Sequence, residues 1–205
     1  TCDRRNGGEA MVHTYEIGGL RVQTGDLLCT TDGGGADITG QFWRLIGKLI
    51  PGDVDHIVIY VGPGGRCVEA GAKGKVITFD VIGNAWNAGE MGSERGPFVD
   101  MLYGAAYPLL SADIDPARAV AIREDVAAYC IRQAELNKPY NLNFFDSATE
   151  GSFYCSQLAY RAYLRNGIDL NTGASVWNIP GTERIVLPQE IWDGCAHEKV
   201  GGSEE

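Results

Sequence analysis

The stretch DHIVIYVG, Asp55 to Gly62, carries the strongest strand signal in the chain, because residues 57–61 are all β-branched or aromatic. A Gly- and Pro-containing turn, GPGGR, then returns the chain into CVEA, which ends at Ala70. KVITFDVIG, which begins at Lys75, predicts a third strand. Three strands joined by short turns in this order predict an antiparallel meander.

Further elements are predicted on both sides of this meander. LRVQTGDLLCTT, which begins at Leu20, predicts a strand interrupted at Thr24 and Gly25. ITGQFWRLIGKLI predicts a short helix that ends before Pro51. FVDMLYGA is a candidate strand, and IVLPQEIW predicts a strand followed by a short turn of helix.

Two longer helices are predicted in the second half of the chain. The first has Asp115 as N-cap and Pro116 at its first position, and it ends near Asn137. The second, in SFYCSQLAYRAYLRNG, runs from about residue 153 to 166 and is stopped by Gly167. We therefore predict an α+β fold, in which an antiparallel sheet or partial barrel packs against both helices.

Length and composition predict one soluble domain over residues 20–198, with a flexible N-terminal segment at 1–19 and a disordered tail at 199–205. Seventeen basic and 27 acidic side chains give a net charge of -10, which argues against nucleic acid and anionic membranes as partners. No apolar run approaches the roughly 20 residues of a transmembrane helix. The chain begins at Thr1, so a removed signal peptide is an open alternative.

Cys155 opens the second helix and shares one face of it with Leu158, Ala159, Ala162 and Tyr163. The unpaired N–H groups and positive dipole end of a helix N-terminus lower the pKa of a thiol. Cys155 is thus a candidate nucleophile. The alternative is a structural cysteine on a buried helix face.

The other cysteines indicate neither a metal site nor a redox motif. The six cysteines contain no C-x-x-C pair, and their spacing does not indicate disulfides. We predict no cofactor and no metal. The cysteines are Cys2, Cys29, Cys67, Cys130, Cys155 and Cys195.

A thiolate nucleophile needs a proton acceptor, and histidine suits that role near neutral pH. His13 and His197 lie in polar terminal segments and are interpreted as surface residues. His56 opens the best strand, and its alternation puts His56 on the face opposite that of its neighbour Asp55. Asp55 is therefore a poor orienting group for His56.

Glu69 is the carboxylate that the hairpin brings to His56. A two- or four-residue loop at GPGG places Glu69 either diagonal to His56 or directly opposite it, on the same face. A carboxylate there would fix the tautomer of the imidazole and stabilise its protonated form. The alternative is a cross-strand polar pair at a solvated sheet edge. Asp32 and Asp80 are the next candidates for the third role.

These segments together resemble the NlpC-type papain-like cysteine peptidases, in their circularly permuted, YiiX-like branch. The resemblance rests on TGDLL, DHIVIYVG, VEA, PYNLNFF and FYCSQLAYRAYLRNGIDL, and it spans roughly residues 22–192. The histidine precedes the cysteine, which is the permuted order. Ile57-Val58 stands where the family commonly has Val-Gly, and Gln157 where it commonly has Glu. The resemblance implies a permuted papain-like fold.

The resemblance also implies roles for individual residues. Cys155 would be the nucleophile, His56 the general base and then acid, and Glu69 the group that orients His56. Tyr154 or the backbone N–H of Cys155 would stabilise the oxyanion.

The activity that the resemblance implies is a thiol-dependent amidase or peptidase acting on peptides of bacterial cell-wall peptidoglycan. Secreted or periplasmic action is favoured, and a cytoplasmic location stays open. The protein could also be an antibacterial effector, delivered for example by type VI secretion, with an immunity or delivery protein as partner. No feature of the sequence indicates an oligomeric state.

Two alternatives to this activity are retained. The first is an acyltransferase or lipid esterase that uses the same triad, for which Phe42, Trp43 and Trp86 could supply an apolar patch near Cys155. The second is a non-catalytic binding or interaction protein on the same fold.

Overall fold

The computed structural model describes residues 11–32, 52–97, 99–110, 112, 114–173 and 184–201. Within these ranges the protein is α+β with antiparallel sheets, as predicted. The strands are β1 (Thr14–Ile17), β2 (Leu20–Gln23), β3 (Leu27–Asp32), β4 (His56–Tyr60), β5 (Arg66–Ala70), β6 (Val76–Asp80), β7 (Asp100–Tyr107) and β8 (Ala196–Lys199). The helices are α1 (Ala88–Arg95), α2 (Pro116–Glu135), α3 (Cys155–Leu164) and α4 (Pro188–Gly194).

The main sheet has six strands in the order β6-β5-β4-β3-β7-β8, and β1 and β2 form a separate hairpin. All neighbouring strands in the main sheet are antiparallel. The predicted meander of β4, β5 and β6 is confirmed, and the strand predicted in FVDMLYGA is β7, which begins at Asp100 and extends two residues beyond that segment to Tyr107.

The predicted break between β2 and β3 is a tight turn at Thr24 and Gly25. Gly25 has φ +93, a left-handed conformation that favours glycine. The next residue, Asp26, forms a buried ion pair with Arg123 of α2, at 2.6 Å between Oδ1 and Nη1. Arg123 also donates to the carbonyl of Thr24. This turn therefore fixes the long helix α2 against the sheet.

The helix ends follow their predicted capping residues closely. The side chain of Asp115 accepts a hydrogen bond from the N–H of Arg118 at 3.0 Å, and Pro116 is the first residue of α2. Gly167, with φ +80, lies three residues beyond the end of α3. Local side-chain chemistry is therefore sufficient to place these ends.

The main sheet has a hydrophobic core on each side, and the alternation of β4 divides its residues between them. Ile57 and Ile59 belong to the core that contains the buried faces of α2 and α3. Val58 and Tyr60 belong to the other core, which contains Met91 of α1. His56, two residues before Val58, is placed by the same alternation on the side of α1.

The structure differs from the sequence predictions in three places. Residues 185–187 do not form the predicted strand, because the backbone of Val186 is hydrogen-bonded to the side chains of Tyr154 and Ser156 at the start of α3. The strand in this part of the chain is β8, which follows α4. The predicted flexible segment 1–19 contains β1, in which Ile17 is fully buried. At the other end, Lys199 of the predicted tail belongs to β8.

Two further predictions concern the remaining parts of the chain. The helix predicted at ITGQFWRLIGKLI lies outside the described residues, as do Phe42 and Trp43. None of the helices in the described ranges is long and apolar enough to cross a membrane.

Candidate active site

His56 and Glu69 form a buried pair, with 2.8 Å between Nε2 and Oε2. The β4–β5 register pairs Ile59 with Val68, and its continuation places Glu69 opposite Val58. Glu69 is therefore diagonal to His56 on the same face, which is one of the two predicted arrangements. Both residues are at most 4% exposed, so this pair does not lie at a solvated sheet edge.

Cys155 reaches His56 at the start of β4. The β4–β5 pairs, Ile59–Val68 and Tyr60–Cys67, lie in the second half of β4, and α3 begins beside the first half, at His56. The first residue of α3 occupies this position, where the backbone N–H groups of Ile57 and Ser156 and the side chain of His56 hydrogen-bond the Cys155 sulfur. The helix N-terminus on one side of the sheet thus meets the histidine on the other.

The pKa values of Cys155 and His56 favour a thiolate–imidazolium pair. Burial by itself raises the pKa of the Cys155 thiol, but the nearby His56 charge, the His56 hydrogen bond and the two backbone N–H groups hold it below its ordinary value. Burial by itself lowers the pKa of His56, but Cys155 and Glu69 raise it to about 10. These opposite shifts favour transfer of the thiol proton from Cys155 to His56. Because Nε2 faces Glu69, Nδ1 is the ring nitrogen left for Cys155.

The other described cysteines lack this environment. Cys29, Cys67, Cys130, Cys155 and Cys195 are all free and buried. Burial raises the pKa of the Cys195 thiol to about 11, although Cys195 is the most exposed of the five at 9%. Burial likewise raises the pKa of the other three. Within the described ranges, only the pKa of the Cys155 thiol is lowered.

A buried arginine that sequence analysis missed holds the carboxylate of Glu69. Arg95, the last residue of α1, donates from Nε and Nη2 to the two Glu69 oxygens at 2.9 and 2.8 Å. Its Nη1 and Nη2 also donate to the two oxygens of Asp100, at 2.7 and 3.0 Å. The guanidinium lies over the rings of Phe79 and Trp86, and the side chain is fully buried.

No local sequence pattern marks this cluster. Arg95 ends a short helix in the Gly-rich segment for which no element was predicted, and Glu69 lies 26 residues away from it. A buried arginine and a surface arginine look alike in sequence, because burial depends on which other elements cover the side chain.

Tyr154 and Gln157 organise the start of α3. The Tyr154 hydroxyl accepts a hydrogen bond from the N–H of Val186 at 3.1 Å and donates to the carbonyl of Phe144 at 3.4 Å. The hydroxyl proposed for the oxyanion is thus engaged with the backbone. Gln157 is fully buried, and its amide oxygen accepts from the N–H of Tyr154 and from Asn141.

The amide nitrogen of Gln157 completes this arrangement. It donates to the carbonyls of Asp146 and Thr149, at 3.3 and 3.0 Å. Residues 141–149 are thereby held against the first turn of α3. A glutamate at this position could make neither donor bond as a carboxylate and only one of the two when protonated.

The remaining candidates lie elsewhere. Asp80 is half exposed and pairs with Arg66 at 3.5 Å, while the side chain of Asp32 is outside the described residues. His197 bonds the carbonyl of Cys195 and stacks on Trp192, at 4.2 Å between ring centroids. Neither Asp80 nor His197 belongs to the Cys155–His56–Glu69 cluster as the structure describes it.

The described part of the chain contains no group of three or more His, Cys, Asp or Glu side chains able to hold a metal ion. Comparison of the chain with protein-family models, with curated proteins and with solved structures finds no match in any of the three.

Proposed function

We propose that the protein is a cysteine hydrolase that cleaves amide bonds with Cys155, His56 and Glu69. The observation that carries the proposal is the continuous contact from the Cys155 sulfur through the His56 ring to the Glu69 carboxylate. The lowered pKa of Cys155 beside the raised pKa of His56 supplies a nucleophile and a proton donor at the same pH. A nucleophile, a base and an orienting group in this relation define a triad by role.

The proposed reaction has two steps. The Cys155 thiolate attacks the amide carbonyl, and His56 passes its Nδ1 proton to the departing amine as the C–N bond breaks. Water then attacks the thioester, with His56 accepting a proton from the water, and the C–S bond breaks to release a carboxylic acid and the Cys155 thiolate beside protonated His56. We assign the oxyanion contact to the backbone N–H of Cys155, at the N-terminus of α3, because the Tyr154 hydroxyl is already bonded.

The proposed fold is the permuted papain-like fold of the NlpC type. The order of the segments, with a histidine strand in an antiparallel sheet and a later cysteine at the start of a packed helix, supports it. The substrate proposed from that resemblance is a peptide of bacterial cell-wall peptidoglycan. Action outside the cytoplasm, including delivery as an antibacterial effector, belongs to the same proposal.

Alkylation by iodoacetamide at pH 7 tests whether Cys155 is the nucleophile. Because the pKa of Cys195 is about 11, roughly one Cys195 in 10⁴ is a thiolate at pH 7, whereas the lowered pKa of Cys155 gives this cysteine a larger thiolate fraction. We expect Cys155 to be modified first, and His56→Ala to slow its modification. Peptide mass spectrometry identifies the labelled site. Equal labelling of the cysteines, or faster labelling of the more exposed Cys195, would exclude the mechanism.

The substrate is tested by incubating the protein with digested peptidoglycan and locating cleaved bonds by mass spectrometry. Cys155→Ala is the control, because it removes the nucleophile and leaves a side chain that fits the same helix. New amine and carboxyl termini within the stem peptides, absent with the variant, are expected. Intact fragments would refute this substrate class, and labelling of Cys155 would still decide the mechanism.

A second candidate function, acyl transfer or ester cleavage with the same triad, is favoured by one observation. Leu142 and Phe145 are 68% and 59% exposed, and they lie in the segment whose Phe144 ring packs on Tyr154 beside the nucleophile. Trp86 is engaged with Arg95 instead. Long-chain thioesters or phospholipids incubated with the protein and with Leu142→Ser distinguish the two activities. Acyl release that falls in this variant, while amide cleavage does not, would support the second function.

A further inference from the structure

Glu69 is hydrogen-bonded both to His56 and to Arg95, and the contact with Arg95 has no role in the proposed reaction steps. The Oε2 atom of Glu69 accepts from both His56 and Arg95, and Oε1 accepts from Arg95. Arg95 in turn is bonded to both oxygens of Asp100, which also accepts from the indole N–H of Trp86 at 3.2 Å. The chain of contacts from Cys155 therefore ends at Asp100 of β7.

The charges of Glu69, Arg95 and Asp100 together are opposite and equal to the charge of a protonated His56. Glu69 and Asp100 are two anions that share one cation, Arg95, so the three groups carry one net negative charge. All three side chains are at most 1% exposed, so water screens this charge weakly. One net negative charge matches one imidazolium. If Arg95 were paired with Glu69 alone, the two would be neutral, and the compensation of protonated His56 would fall to the Cys155 thiolate on its other side.

The two parallel N–H groups of the Arg95 guanidinium also restrict the orientation of the Glu69 carboxylate. Two parallel N–H···O bonds hold the plane of a carboxylate as well as its position, which a single lysine ammonium does not. The guanidinium lies 4.9 and 4.8 Å from the ring centroids of Phe79 and Trp86, which pack edge to face against each other, so Arg95 itself is held in place. The orientation of Glu69 towards His56 is thus set from α1 and β7.

We propose that Arg95, fixed by Asp100, is a positioning residue that orients Glu69 and keeps one net negative charge behind His56. This inference rests on the proposed Cys155–His56–Glu69 mechanism. It assigns a purpose to Arg95 and Asp100, and it predicts that Asp100 influences His56 without touching it.

The test uses the pKa of His56, which needs no substrate. In a Cys155→Ala background, His56 titrates without the thiol, and its ring resonances follow its protonation by NMR. Asp100→Asn removes one anion from the cluster, so we expect the pKa of His56 to fall by about one unit. Asp26→Asn is the matched control, because it removes an anion from the other buried ion pair, with Arg123, and should leave the pKa of His56 unchanged.

Among the described residues, few groups act on the charge of His56. Glu69 of β5 and Cys155 of α3 contact it, and Arg95 and Asp100 lie behind Glu69. Tyr140 and Cys29 lie near Cys155, and burial raises the pKa of both, so they stay neutral across the titration. A change in the pKa of His56 on Asp100→Asn therefore reports on the cluster.

Arg95→Lys separates orientation from charge. It keeps the cation and loses the fork, so we expect kcat to fall at least tenfold with little change in KM, and the pKa of His56 to stay close to that of the parent protein. A purely structural Arg95 would instead lower the melting temperature and leave kcat of the folded enzyme intact.

The outcomes separate the inference from the proposed function. An unchanged pKa of His56 in folded Asp100→Asn would overturn the inference, and if that variant does not fold, full kcat in Arg95→Lys would do the same. In either case selective alkylation of Cys155 in the unmodified protein would leave the proposed function standing. Absence of that selective alkylation would remove the function first.

Discussion

Glu69→Gln is the substitution for which the structure predicts the clearest dependence of stability on pH. Burial alone raises the pKa of Glu69, but the Arg95 charge and the His56 hydrogen bond and charge lower it from 4.5 to about 2. At 1.36 kcal/mol per pKa unit, this difference corresponds to about 3 kcal/mol of stability in the charged form. His56 shares the same interaction, so its own raised pKa is not added.

The sign of the pH dependence follows from the lowered pKa. A carboxyl group whose pKa is lower in the folded than in the unfolded state stabilises the fold above about pH 4.5, and this contribution is lost as the pH falls towards 2. Glutamine has no such charge. We therefore expect Glu69→Gln to be less stable than the unmodified protein by about 3 kcal/mol at pH 7, with the difference shrinking below pH 4.5.

Urea unfolding followed by far-UV circular dichroism, at a series of pH values from 7 to 3, measures this difference. Asp80→Asn is the control, because it removes a carboxylate from a half-exposed ion pair with Arg66, which contributes less than about 1 kcal/mol. Equal stability of Glu69→Gln and the unmodified protein at pH 7 would refute the argument. So would a difference between them that stays constant down to pH 3.

Further predictions concern the same site and the turn that supports it. Glu69→Gln should also lower turnover by at least tenfold in the fraction that folds, because the amide cannot compensate an imidazolium; an unchanged kcat would move the third role to another residue. Gln157→Glu should lower stability by about 2–3 kcal/mol at pH 7, because the buried carboxylate would face two carbonyl groups. The loss should be smaller at pH 5, where more of the carboxylate is protonated, and urea unfolding at both pH values measures the difference. Gly25→Ala should lower stability by about 1–3 kcal/mol, because Gly25 has φ +93 and an added Cβ would lie 3.1 Å from the Tyr163 hydroxyl; an unchanged melting temperature would contradict this.

Sequence analysis was most successful where a structure depends on neighbouring residues. The side chain of Asp115 caps α2, Gly167 follows α3, and the alternation of β4 divides Ile57 and Ile59 from Val58 and Tyr60 between the two cores. Each of these depends on the geometry of one turn, one helix end or one strand. The hairpin between β4 and β5 was equally local, and it limited Glu69 to positions on the face of His56.

The parts that sequence analysis missed depend on contacts between distant segments. β8 forms after α4 because it pairs with β7, about ninety residues earlier, while residues 185–187 are bonded to the start of α3. Helix α1 is short and Gly-containing, so its own sequence favours a helix only weakly. Its position follows from the burial of Met91 and Arg95 against the sheet.

The sequence alone therefore determined the candidate side chains and the secondary structures that carry them, because helix caps, turns and strand alternation act over a few residues. The tertiary structure decided how Cys155 and His56 meet, since the meeting requires α3 to begin beside the start of β4, away from the two β4–β5 pairs at its other end. It also decided that Glu69 faces Arg95 and Asp100 as well as His56. Burial and ion pairing between distant segments depend on how whole elements pack, which no local pattern records.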